Sequence, residues 1–263
     1  MTSGLAQPAV RIHEYSTDAS DTVLYCFTYA GGAAPYYRPW AARLPSGVAL
    51  CAIQQPGRQD LFRLSPFADM TALADATAQA VADHLGGRRY ALFGHSMGAL
   101  TAFETALRMR RFGMAAPDVL GVSACAAPHL RHGRLDVRGL SDEQLLTRVA
   151  ALGGLEPELL ACQELVDLML PAIRADFELL DRYAYVPEPP LDCALAVFGG
   201  LSDQSVPEDS LRAWGGYTSG RTAVELYPGG HFYLNDWSTG LLERLLGPSS
   251  ADSRNVDRQA VNP

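Results

Sequence analysis

The group best placed to act as a nucleophile in this 263-residue chain is Ser96, inside Phe93-Gly94-His95-Ser96-Met97-Gly98. A serine hydroxyl attacks poorly at neutral pH, so it needs a base, and the base needs a carboxylate to orient it. The G-x-S-x-G spacing suits that task when it lies between a strand and a helix. Glycines at 94 and 98 let the two elements approach closely, while the serine sits on a strained turn with its hydroxyl pushed into the open. Of the six histidines, His231 alone directly follows a late apolar run, in a Pro-Gly-Gly loop that lets its backbone come near. His95 lies inside the serine turn, His13 and His84 fall in regular elements, and His129 and His132 are second candidates. For the carboxylate, Asp203 lies just past another apolar run, with Asp209 and Glu208 as fallbacks. Asp192 precedes its strand and belongs at the opposite edge of the sheet. The resulting order, Ser96, Asp203, His231, is the one found where G-x-S-x-G caps a parallel strand.

Such a nucleophile also needs donors for the oxyanion that forms on attack. The Met97 amide, directly after the serine, is one; the loop Tyr29-Ala30-Gly31-Gly32, after an early strand, is positioned to offer the other. The glycine pair there lacks the G-x-G-x-x-G spacing of a dinucleotide loop. No H-E-x-x-H or paired Cys/His spacing suggests a metal, and no cofactor is expected. All 21 basic residues are arginine, which excludes Walker-type phosphate binding through lysine and any lysine Schiff base.

A net charge of -8 argues against general nucleic-acid binding, which needs clustered cations. The five cysteines lack C-x-x-C spacing, and Cys26, Cys51 and Cys193 lie in apolar runs. They read as small buried residues. The chain shows no run of 18 apolar residues, and its first residues have neither a basic start nor an apolar stretch, so a soluble, cytoplasmic protein is expected.

Apolar runs that read as strands alternate with helical patterns, which points to an α/β fold with a mostly parallel sheet. Strands are expected over residues 10–15, 23–28, 48–53, 89–93, 118–125, 193–198 and 222–227. Helices are expected from about 35 to 44, over 70–85 with Gly86 and Gly87 as the stop, over 100–107, and over 241–246. Between about residues 139 and 186 helical segments follow one another without a strand. Ser141 with Gln144 fits a capping box, Gly153 and Gly154 break the first helix, a second is predicted over 158–169, and a third begins at Pro171. An insertion at this point of an alternating chain is a natural lid. Residues 1–9 are expected to be a flexible start, 10–246 one domain and 247–263 a disordered tail.

Taken together, Phe27-Thr28-Tyr29-Ala30-Gly31-Gly32, Tyr37-Arg38-Pro39-Trp40, Gln55-Pro56-Gly57-Arg58, the serine turn, Gly200-Leu201-Ser202-Asp203 and Gly230-His231-Phe232 resemble the type II thioesterases. These are free-standing editing hydrolases that accompany polyketide synthases and nonribosomal peptide synthetases. The resemblance covers about residues 10–246. It implies an α/β-hydrolase fold with a helical lid, and an enzyme that removes unproductive acyl groups from the phosphopantetheine arm of acyl or peptidyl carrier proteins. It also implies a monomer with Met97 and Ala30 as the oxyanion amides. The chain departs from the family in having Thr28 where proline is usual. Because carrier proteins are generally acidic, the basic cluster Arg131, His132, Arg134 and Arg138, at the root of the insertion, is a candidate for steering them. Other readings are a carboxylesterase or lipase acting on small molecules, an excised cyclising thioesterase, and a non-catalytic acyl-binding module.

Overall fold

The structure, a computed structural model, describes residues 10–16, 20–130, 136–155, 161–236 and 240–247. Seven strands form one sheet in the order β1-β3-β2-β4-β5-β6-β7. In chain order they are β1 (Arg11–Glu14), β2 (Thr22–Phe27), β3 (Val48–Gln54), β4 (Arg89–His95), β5 (Val119–Ser123), β6 (Ala194–Gly200) and β7 (Thr222–Tyr227). Only β1 is antiparallel to its neighbour; the other pairings are parallel. The parallel strands read as near-continuous apolar runs because helices cover both faces of the sheet.

Alternation along β2 and β3 separates the two faces. Val23, Tyr25, Phe27, Cys51 and Ile53 join a core built with α1 (Met70–Leu85) and α2 (Met97–Arg111). Leu24, Cys26, Leu50 and Ala52 join a second core with Tyr37, Trp40, Leu241 and Leu245. Helix α1 spans the predicted residues: Asp69 accepts from the Ala72 N–H at its start, and Gly86 takes a left-handed φ of 61° at its end. Helix α2 is buried on nearly every side, from Met97 through Met109.

Two elements differ from the sequence expectation. The segment after the first glycine loop is a 3₁₀ helix, Ala34–Arg43, with Pro39 inside it; a residue without an N–H cannot close the α-helical ladder there. The insertion between β5 and β6 contains α3 (Asp142–Ala151), whose capping box of Ser141 and Gln144 forms as expected, and then α4 (Gln163–Arg182). Helix α4 runs straight through Pro171, where a break was predicted. Val166, Ala172, Ile173, Phe177 and Leu179 are buried along it. Packing of that stripe on both sides of Pro171 outweighs the one backbone hydrogen bond that proline forfeits. The first residues of the predicted 158–169 helix, 158–160, lie outside the described residues, as does nearly all of the predicted tail.

Two short helices complete the fold, α5 (Glu208–Arg212) and α6 (Leu241–Leu246). The order of strands fixes where a ligand can sit. From β2 the chain crosses to β3 on one side, and β4 then returns to the other side of β2. The connections leaving β2 and β4 therefore diverge, and a crevice opens at their carboxyl ends.

Candidate active site

Ser96 stands at that crevice, between the last residue of β4 and the first of α2, with φ 55° and ψ -118°. A non-glycine residue in this region is strained, and the strain is held by the packing around it. An added Cβ at Gly94 would fall 2.0 Å from the Gly98 carbonyl oxygen, and one at Gly98 would fall 2.1 Å from that of Phe27. Both glycines are thus required by backbone lying against backbone, as the motif predicts.

The imidazole reaches the serine from three strands away, from the end of β7 to the end of β4. His231 Nε2 lies 3.0 Å from Ser96 Oγ, and His231 Nδ1 lies 2.7 Å from Asp203 Oδ2. Asp203 follows β6 and His231 follows β7, and their loops are laced together. Leu201 N–H donates to Tyr227 O and Ser202 N–H to Gly229 O, each at 2.8 Å. Gly200 is needed for that lacing, since a Cβ there would meet Gly230 O at 2.1 Å. Residues 135 positions apart in the chain thus meet because parallel strands deliver their carboxyl ends to the same edge.

Both side chains are nearly sealed from solvent, His231 at 7% and Asp203 at 3% exposure. Burial pushes the Asp203 carboxyl up, but hydrogen bonds from His231 and Ser205 and the imidazole's charge pull harder, so its pKa ends below the usual aspartate value. Ser205 escaped the sequence reading. Its N–H and Oγ donate to Asp203 Oδ1 at 2.9 and 2.6 Å, occupying the oxygen that His231 leaves free. A serine two residues after a loop aspartate is the signal that could have found it, since such residues fold back on local carboxylates.

Two of the other histidines have partners of their own. His95 is buried beside His231, with ring centroids 5.2 Å apart, but its Nδ1 pairs with Ser123 Oγ at 2.9 Å, and that hydroxyl with Tyr233 at 2.6 Å. Burial, reinforced by His231, holds its pKa well below the ordinary histidine value. His129 is engaged with Tyr217 OH at 2.7 Å. Glu208 pairs with Arg212 on α5. Away from the crevice, Glu14, Cys51 and His84 bring possible ligand atoms within 4.8 Å of one another. Arg88 also faces Glu14, at 3.9 Å, and burial pushes the Cys51 thiol up to about 12. That donor set suits a cation poorly, because a ligating thiol must lose its proton.

Met97 is the first residue of α2, so its N–H has no carbonyl one turn back in the helix. Across from it, Gly32 N–H donates to Tyr29 O at 2.9 Å, closing a turn at residues 29–32 with Gly31 at φ 79°. Ala30 lies inside that turn and is buried. The turn is also held from outside. Asp176 of α4 accepts from Gly31 N–H at 2.7 Å, and Arg58 donates to Gly32 O at 3.0 Å. Arg58 and Asp176 are themselves joined by two hydrogen bonds of 2.7 and 2.8 Å, both side chains buried. The insertion thus reaches the site: a Cβ on Gly31 would strike Ile173 of α4 at 2.6 Å, and Gly154, after α3, lies against Phe232. Tyr29 and Phe232 stack edge to face at 4.8 Å beside the histidines.

Of the basic cluster, Arg138 is exposed on the 3₁₀ turn Val137–Gly139, while Arg131, His132 and Arg134 lie outside the described residues. The cysteines are free, four of them buried and Cys162 partly so. No described helix is long and apolar enough to cross a membrane.

Known proteins share this fold. The solved structure of the RedJ thioesterase from the prodiginine biosynthetic pathway of Streptomyces coelicolor is 40% identical, with a TM-score of 0.81 over 86% of this chain and 90% of that one. The type II thioesterase BorB from the borrelidin biosynthetic cluster is 35% identical, with a TM-score of 0.82 over 89% and 96%. Both share the α/β-hydrolase fold of the present sheet. A curated relative from Brevibacillus parabrevis, named linear gramicidin dehydrogenase LgrE, is 34% identical over 86% of this chain and 87% of its own. The dehydrogenase of that name has no counterpart here in a G-x-G-x-x-G loop after β2. The model of the thioesterase domain matches residues 22–247, from the first residue of β2 to just past the last helix, and the chain belongs to the thioesterase family.

Proposed function

We propose that this protein is a serine thioesterase that clears acyl groups from the phosphopantetheine arm of acyl or peptidyl carrier proteins, an editing role in polyketide or nonribosomal peptide biosynthesis. The observation that carries this reading is the relay from Ser96 through His231 to Asp203, at 3.0 and 2.7 Å. His231 takes the Ser96 proton as Oγ attacks the thioester carbonyl. The resulting oxyanion is held by the amides of Met97 and Ala30, each worth on the order of 3 kcal/mol in the transition state. The thiolate of the arm leaves readily, with less need of a proton at the moment of departure than an amine, and the His231 proton goes out with it as the thiol, which restores the neutral imidazole. Water, deprotonated by His231, then attacks the acyl serine, and His231 returns that proton to Ser96 Oγ as the free acid is released. Asp203 stays ionised throughout and holds the imidazole in the tautomer that presents Nε2 to the serine.

The insertion with α3 and α4 acts as the lid over the acyl group, supported by its contacts with Gly31 and Phe232. The enzyme works as a cytoplasmic monomer without a cofactor, and its partner is a carrier domain. Arg131, His132, Arg134 and Arg138 steer that acidic domain. Charge reversal at Arg131 and Arg134 lowers turnover of carrier-bound acyl groups and spares thioesters of small thiols; equal loss on both removes the steering role.

The test is hydrolysis of a panel of acyl groups on a carrier protein beside simple esters of the same acids. Preference for the carrier-bound thioesters, with release of free acid, supports the proposal. Turnover of the simple esters alone turns it into a carboxylesterase, lactone release into a cyclising enzyme, and failure of a serine-directed phosphonate to label Ser96 into a binding module.

A further inference from the structure

We propose that Asp176, on the lid helix α4, is a positioning residue for the oxyanion turn, and that Arg58 holds it in place; this rests on the active-site assignment above. The observation is one carboxylate with two duties. Asp176 Oδ2 accepts from Gly31 N–H and from Arg58 Nη1, each at 2.7 Å, while Oδ1 accepts from Arg58 Nη2 at 2.8 Å. The same guanidinium donates to Gly32 O at 3.0 Å and to Pro56 O at 3.3 Å. An ion pair with no other task has no need of a backbone amide from the catalytic loop. Here a lid side chain and a core side chain grip consecutive residues of the turn that contains Ala30.

The mechanical consequence follows from peptide geometry. Each peptide unit is planar, so fixing Gly31 N–H fixes the plane between residues 30 and 31. The preceding plane carries the Ala30 N–H, and the two share only the soft dihedrals of Ala30. With Gly32 N–H on Tyr29 O and Gly32 O on Arg58, rotation of the Ala30 amide away from the crevice breaks at least one bond. Glycine at 31 is free to adopt other backbone states, so a loop without the Asp176 acceptor samples rotated amides. Because Asp176 rides on α4, displacement of that helix withdraws the restraint, and the oxyanion turn is fully ordered only with the lid helix seated.

Removing the ion pair as a pair avoids leaving one buried charge alone. The test uses the full chain as Arg58→Met with Asp176→Leu, compared with the parent for hydrolysis of an acyl thioester of a small thiol and for labelling of Ser96 by a fluorophosphonate. The expected result is a folded protein whose kcat falls about 10- to 100-fold while KM moves less than about threefold, the signature of a contact that matters in the transition state. Labelling slows in parallel, and the low-field proton resonance of the His231–Asp203 hydrogen bond stays where it is in the parent. A folded double variant with kcat within about twofold of the parent overturns the proposal, and so does loss of that resonance together with activity, which would mark general damage to the site.

Should the double variant fail to fold, Asp176→Asn against Asp176→Leu decides the matter. Both remove the charge and share a side chain forked at Cγ with the same number of heavy atoms, but only the amide offers Gly31 an acceptor. Higher kcat for asparagine is the expected result; equal kcat overturns the proposal. A parent that the phosphonate does not label defeats the active-site assignment itself, whereas a labelled parent with equally fast variants defeats only the role of Asp176.

Discussion

Substituting Gly98 by alanine probes the contact on which the site's geometry turns. The added Cβ would stand 2.1 Å from Phe27 O, 2.6 Å from Phe27 C and 2.7 Å from Thr28 O. The first contact is 0.9 Å short of the 3.0 Å below which real contacts essentially do not occur. All three atoms are backbone, so no side chain can swing aside. Either α2 retreats from β2 or the strand end bends, and overpacking of this kind costs about 1–3 kcal/mol. For a chain of this size that lowers Tm by roughly 2–12 °C. The activity loss is as large as the upper end of the stability loss, about 2.7 kcal/mol for the hundredfold drop in rate. Phe27 and Thr28 lead directly into the turn with Ala30, and Met97 precedes Gly98, so a shift near 1 Å separates the two amides proposed to hold the oxyanion. A misplacement of that size costs about 100-fold in rate. The assay is thioester hydrolysis beside thermal unfolding, with Gly215→Ala as control, because a Cβ at Gly215 meets nothing within 4 Å. If Gly98→Ala unfolds at the parent temperature and keeps activity within about twofold, the elbow's dependence on this glycine is wrong.

Ser96→Ala abolishes hydrolysis and phosphonate labelling while circular dichroism and Tm stay near the parent's; retained turnover would remove Ser96 from the mechanism. Asp203 has a folded pKa below its ordinary value, so its contribution to stability is present above about pH 4 and is lost as acid carries it through the folded pKa. Tm measured from pH 6 to 3 falls more steeply for the parent than for Asp203→Asn, and parallel curves would contradict the shift. Thr28 is buried, and its hydroxyl has no hydrogen-bond partner among the described residues. Thr28→Val therefore raises stability by up to about 1 kcal/mol, read as a higher denaturation midpoint, and a lower midpoint would show that the hydroxyl is satisfied.

Local chemistry made much of this legible before any coordinates. The serine turn needed only its glycines and their place between an apolar run and a helix. The capping box of α3 needed only Ser141 and Gln144, and α1 announced its end through Gly86. Asp203 and His231 were readable because parallel strands deliver every carboxyl end to one edge, which makes chain order a guide to space. The failures lie where long-range packing overrules a local rule. Pro171 reads as a helix start, and only the buried stripe of α4 carries the helix through it. Ser205 is one loop serine among many until the carboxylate it feeds is known. Arg58, part of a motif with no task attached to it, proves to be buried against Asp176, 118 residues away, with both gripping the turn that contains Ala30. The sequence by itself determined the kinds of groups available, the turns that expose them and the strands that carry them. Tertiary structure alone decided which buried charges meet and which backbone amide they hold, because that pairing depends on how the insertion packs over the sheet, and no spacing along the chain records it.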